Sequence, residues 1–123
     1  MKAYTDLEQS KKLAEILPLK SADICYVCGN TTLVSPTKYG DTSIEKLYKK
    51  HIIPAWSLAA LFNILPKEIV YKKNIVYLEF HVWQNSLEYV NNADYILHIT
   101  RSYGNPVDAC VEMILKLKEL NLL

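Results

Sequence analysis

Tyr77, Glu79, His81 and Trp83 take alternate positions in a run rich in β-branched and aromatic residues, and on an extended strand alternate side chains share one face. That spacing sets an imidazole beside a carboxylate, with an aromatic ring at each end. Imidazole titrates near neutral pH and a carboxylate orients it, so the pair suits proton transfer once a further polar group joins it. His98, with Thr100, is the group expected to reach the same sheet face from a later strand. The chemistry stops short of catalysis, because no G-x-S-x-G, G-x-G-x-x-G, P-loop or H-E-x-x-H pattern occurs and three glycines leave little for a phosphate cradle. An antiparallel sheet wetted on one side also turns polar and aromatic residues outward in the ordinary course. The face is therefore read as a ligand- or partner-binding surface of Tyr77, Glu79, His81, Trp83 and His98, with no catalytic residue and no cofactor.

Cys25-Tyr26-Val27-Cys28 has the spacing of half a zinc site, in which two thiolates reach one tetrahedral ion at about 2.3 Å. Its other half would have to come from Cys110 and one of His51, His81 or His98, all on distant elements. On a regular strand Cys25 and Cys28 also point to opposite faces. The expectation is no metal and two small core thiols, with zinc at Cys25 and Cys28 as the weaker alternative. A thioredoxin-type role fits worse, since that motif precedes a helix and this one precedes a hairpin turn. Three cysteines and a polar start at Met1–Asp6 suggest reduced thiols in a cytoplasm.

The elements that must position these groups follow from patterning. With 123 residues, half of them hydrophobic, the chain is expected to be one α+β domain over 1–123. Fourteen basic and thirteen acidic residues are interspersed, and thirteen of the cations are Lys, Arg101 being the exception. Such a balance argues against specific nucleic-acid binding. No run approaches the roughly 20 apolar residues of a membrane helix.

A capping box at Thr5-Asp6-Leu7-Glu8 opens a helix with Leu7, Ser10, Leu13, Ala14 and Leu17 inward. Proline after Leu17 closes it, as proline after Leu65 closes a later helix with the similar ending Ile64-Leu65-Pro66. Strands are expected over 22–28 and 31–34 around a Gly29-Asn30 turn, then a short helix from a second box at Thr42-Ser43-Ile44-Glu45. Its inward residues would be Ile44, Leu47, Tyr48 and His51. Pro54 would start a helix over 54–65 that is apolar on nearly every side. A helix of that kind needs cover all round, so Trp56 is a candidate homodimer contact. Four alternating strands follow, and Asn105-Pro106 caps a last helix whose stripe is Val107, Cys110, Val111, Ile114, Leu117 and Leu120. The order α-ββ-α-α-ββββ-α describes an antiparallel sheet with helices mainly on one face.

Pro54-Ala55-Trp56-Ser57-Leu58-Ala59-Ala60-Leu61 with Ile64-Leu65-Pro66, and Asn105-Pro106-Val107-Asp108-Ala109-Cys110 with Glu112-Met113-Ile114, resemble blocks of a family of short, uncharacterised bacterial proteins found on prophages and mobile elements. Gln9 to Pro18 is similar to it as well. The resemblance implies a genomic setting and no activity. The functional expectation is a non-enzymatic interaction or accessory protein, acting as a homodimer or with another protein, against the alternative of a small ligand-binding domain or enzyme using the His/Glu/aromatic face.

Overall fold

The computed structural model describes residues 2–32, 34–39, 43–81, 85–91, 93, 95–101 and 104–123. The fold is α+β, and among the described residues the strands form two antiparallel sheets of three and four strands. The chain divides into two compact units, Lys2–Leu61 and Phe62–Leu123. Among the described residues no helix is long and apolar enough to cross a membrane.

In the first unit α1 spans Leu7–Ala14, and its N-cap is Asp6. The Asp6 carboxylate accepts the Gln9 N–H at 2.7 Å while the Gln9 side-chain oxygen accepts the Asp6 N–H at 3.1 Å. The capping box therefore sits one residue later than the Thr5/Glu8 pairing read from sequence. Both frames satisfy the capping rule, and the later one frees Thr5 for the interior. There, fully buried, the Thr5 hydroxyl meets Ser10 Oγ at 2.7 Å and accepts the Trp56 N–H at 3.1 Å.

Strands β1 (Ile24–Val27), β2 (Asn30–Thr32) and β3 (Ile52–Ala55) form this unit's sheet in the order β2-β1-β3. Val27 pairs with Asn30, so the hairpin loop is Cys28–Gly29, with φ of 51° and 86°. Both loop residues are left-handed, as a two-residue loop matching strand twist requires, and the turn precedes the expected one by a residue. Ile24, Tyr26 and Ala55 pack on one side of the sheet with Tyr4 and Ile53. Cys25 and Ile52 pack on the other with Leu47. Leu47 belongs to α2 (Ile44–Lys49), which follows Ser43. Thr42, the first residue of the second expected box, lies outside the described residues, as does Leu33 of the expected second strand.

The helix expected over 54–65 is corrected here. Residues 52–55 are β3, and α3 covers only Leu58–Ile64. Ser57 sets the start: its hydroxyl accepts the Ala60 N–H at 3.2 Å, and its own N–H donates to Asp23 Oδ1 at 2.9 Å. Pro54 fits the strand because β3 is an edge, where a missing N–H costs no ladder bond. Cys28 N–H donates to the His51 carbonyl at 2.9 Å, so by antiparallel alternation the Cys25/Pro54 pair is a non-hydrogen-bonded one and the proline nitrogen faces away from β1. Trp56, at the strand-to-helix corner, is fully buried, and its Nε1–H donates to Ser21 Oγ at 2.9 Å. A ring enclosed in this way presents no surface to a second copy, so Trp56 is a core residue in this fold.

The second unit is a meander, β4 (Glu68–Tyr71), β5 (Asn74–His81), β6 (Ser86–Val90) and β7 (Ile96–Ile99), in sequential order. Helix α4 (Pro106–Glu119) packs on β6 and β7. Asn105 caps it by accepting the Val107 N–H at 2.8 Å. Val107, Cys110, Val111, Ile114 and Leu117 are buried as expected, joined by Ala109 and Met113, while Leu120 at the helix end is only half-buried. The Tyr71–Asn74 pair leaves Lys72 and Lys73 as a left-handed two-residue loop.

Candidate functional site

The β5–β6 register decides which side chains meet. Tyr77 lies opposite Val90, Glu79 opposite Glu88, and His81 opposite Ser86. Directly paired residues share a face, so Glu88 joins Tyr77, Glu79 and His81 on the outward side of the sheet, while Val76 and Leu87 are buried on the other. His81 Nε2 stands 2.6 Å from Glu88 Oε1 and 3.7 Å from Glu79 Oε2. Glu88 is the least exposed of the three, its side chain 15% accessible against 41% for His81 and 53% for Glu79. One donor atom from each of the three residues lies within 4.8 Å of the other two.

Two carboxylates directly opposite in a ladder repel each other. A cation between them offsets that cost, supplied by a protonated His81 or by an ion on all three groups. Glu88 is the member that sequence reading missed. With a turn placed at Gln84-Asn85-Ser86, Glu79 would lie opposite the next turn; the observed pairing of His81 with Ser86 shifts the partner strand and brings Glu88 across. No turn residue in the sequence distinguishes these registers.

His98 does not join this face. Its cross-strand partner is Tyr89, itself opposite Leu78, which sets His98 on the inner side towards α4. There its Nε2 meets Glu112 Oε2 at 3.2 Å, and the same carboxylate accepts the Arg101 N–H at 2.9 and 3.0 Å. A β-bulge between Tyr89 and Val90 shifts the β7 register, which no feature of the sequence foretells. Thr100 is buried, its hydroxyl accepting the Leu87 N–H at 3.0 Å. Trp83 lies outside the described residues. Tyr77 remains, half-exposed, along with Val70, Ile75 and Ile99 on the outward face.

Cys25 is buried with its Sγ 3.2 Å from Thr32 Oγ1, whereas Cys28 is exposed at the hairpin turn. Neither enters a group of three or more metal donors among the described residues; Glu79, His81 and Glu88 do. Cys110 is buried on α4, and burial pushes its thiol up to about 12. No family model, curated protein or solved structure matches this chain.

Proposed function

We propose that the chain binds a divalent first-row transition-metal ion, zinc in the first instance, through Glu79, His81 and Glu88. The observation that carries the reading is the convergence of one imidazole and two carboxylates within 4.8 Å on adjacent strands. Imidazole and carboxylate oxygens suit zinc at about 2.0–2.2 Å, which sets donors about 3.4 Å apart in a tetrahedral shell. The His81–Glu88 contact is shorter than that and the His81–Glu79 contact slightly longer, so modest side-chain rotation brings all three to the ion. The ion takes the place of the hydrogen bond between His81 Nε2 and Glu88 Oε1. Three protein donors leave a further position for water or a ligand.

Calorimetry with zinc chloride tests this on the intact chain. One ion per chain is expected. Losing a group that merely orients a ligand costs about 10–100-fold in metal affinity, so Glu88→Gln and His81→Ala should lose at least as much. Zinc binding unchanged in both variants, or no binding by the wild type, would overturn the proposal.

A second reading rests on the apolar residues of the same face, Val70, Ile75, Tyr77 and Ile99, the first of them 68% exposed. Exposed apolar patches mark interaction sites. In this reading the chain is a non-enzymatic accessory protein of a bacterial mobile element, working in a reducing cytoplasm that its three unpaired thiols suit. The partner is a protein with apolar side chains beside a Lys or Arg, complementary to Glu79 and Glu88. A partner crosslinked to wild type and lost from both Ile75→Ser and Glu88→Gln supports it; one retained by both variants rejects it.

A further inference from the structure

We propose that a concavity in the first unit, bounded by α1, the Cys28–Gly29 turn and the start of β3, binds a small monoanion with an apolar or aromatic body, an arylalkyl carboxylate being the simplest case. The concavity measures about 450 Å³ and is lined by Lys11, Cys28, Gly29, Tyr48, His51 and Ile53. Its volume falls in the range of small-molecule sites, which combine an apolar lining with a few placed polar groups. Tyr48 and Ile53 supply the apolar wall. Lys11, which pairs with no carboxylate among the described residues, supplies a cation, and the His51 ring supplies a second polar group.

The sequence reading turned Tyr48 and His51 inward with Ile44 and Leu47. Instead both are exposed, Tyr48 at 38%, and they border the concavity. His51 leaves α2 in a left-handed conformation with φ 59°, Cys28 has φ 51°, and the Cys28 N–H bond to the His51 carbonyl ties these two backbone positions together. Non-glycine residues held left-handed are uncommon and persist where surrounding structure fixes them, so this wall is formed before any ligand arrives. The charge around it favours an anion: Glu15 is the acidic group that acts on Tyr48, whose pKa is raised by burial first and by that carboxylate second. Against it stands Lys11, one of eight Lys in a unit with six acidic residues between 2 and 61. One primary cation matches a singly charged head group.

Cys28 supplies the reporter, because Cys25 and Cys110 are buried. The experiment follows alkylation of Cys28 in the intact chain by iodoacetamide, using mass spectrometry, while 4-phenylbutyrate or its uncharged amide is titrated in. Saturable slowing by the carboxylate, with the amide binding more weakly, is expected. Removing one charge-assisted contact should weaken that protection about tenfold in Lys11→Gln, an exposed position whose variant keeps the wild-type circular dichroism. Tyr48→Ala, which removes part of the apolar wall, should weaken carboxylate and amide alike. Alkylation indifferent to the carboxylate, equal protection by acid and amide, or a Lys11→Gln variant protected as well as wild type would each overturn the proposal. None of these outcomes depends on zinc, which belongs to the other unit.

Discussion

The two units solve the same problem with different means. In Lys2–Leu61 the side-chain hydrogen bonds reach across the chain: Tyr26 OH donates to the Thr5 carbonyl, Trp56 N–H to Thr5 Oγ1, Trp56 Nε1–H to Ser21, and the Ser57 hydroxyl to Asp23. In Phe62–Leu123 each strand pairs with its sequence neighbour and one amphipathic helix covers β6 and β7. A fold stitched over long separations loses more chain entropy before its contacts form, so the second unit is expected to order earlier. The contrast also sorts the candidate sites. The stitched unit holds a preformed concavity with a cation at its wall, and the meander holds paired carboxylates on a flat outward face.

The sharpest way to break the comparison is to empty each core at its centre. Trp56→Ala should cost about 3–5 kcal/mol, since it opens a cavity and removes the Nε1–H that donates to Ser21 Oγ, and Leu117→Ala about 2–5 kcal/mol in the α4 stripe. Urea unfolding followed by circular dichroism measures both. A Trp56→Ala midpoint close to wild type would mean that the first unit does not hang on that corner.

A polar test comes next. Thr5→Val keeps the shape of a fully buried side chain and leaves the Trp56 N–H and the Ser10 hydroxyl without their partner, a loss of about 1–3 kcal/mol. Thr100→Val in the second unit strands the Leu87 N–H in a ladder that has its other bonds, so it should cost less. Equal losses in the two variants would erase the distinction between stitched and sequential folds.

The smallest effect is in pH dependence, where the units differ in direction. Burial pushes Cys110 from 9.0 up to about 12, and burial, then the neighbouring Cys110, raises Tyr89. Groups kept neutral in the fold stabilise it fully below the unfolded pKa and lose that contribution as pH rises above about 9. Cys110→Ala should flatten the fall in urea midpoint between pH 9 and 11. In the first unit burial raises Asp6, but the Gln9 backbone N–H and Lys2 outweigh it and the net shift is downward from 3.8, so its contribution is present above that value and fades in acid. An alkaline limb unchanged by Cys110→Ala would remove this difference.

The second unit was far more legible in the sequence than the first, for reasons that lie in particular residues. Asn105-Pro106 and the α4 stripe are local signals, and strands β4 to β7 follow from alternation alone. Glu79 and His81 could be seen together on one face. Glu88 could not, because hairpin register depends on how many residues the turn consumes, and His98 was misplaced because a bulge resets which residues face α4. In the first unit, Pro54 suits a helix start and an edge strand equally, and only pairing with β1 chooses between them. Asp6 and Thr5 are competing caps one residue apart, separated by what the Thr5 hydroxyl meets in the interior. Tyr48 and His51 have the spacing of an inward stripe on a helix too short to enforce it.

The outward-facing nitrogen of Pro54 has a consequence for solubility rather than for packing. The β3 edge would otherwise offer a row of unpaired donors and acceptors to any strand in a neighbouring molecule. At Pro54 the donor is missing, and just beyond it the chain's own start takes the next places: Thr5 N–H donates to the Trp56 carbonyl, Leu58 N–H to the Ala3 carbonyl, and Tyr4 bridges Ser57. A foreign strand approaching this edge meets one position without a donor and, after it, positions already filled. The same proline that withheld a clear secondary-structure signal thus guards the sheet against growing from copy to copy.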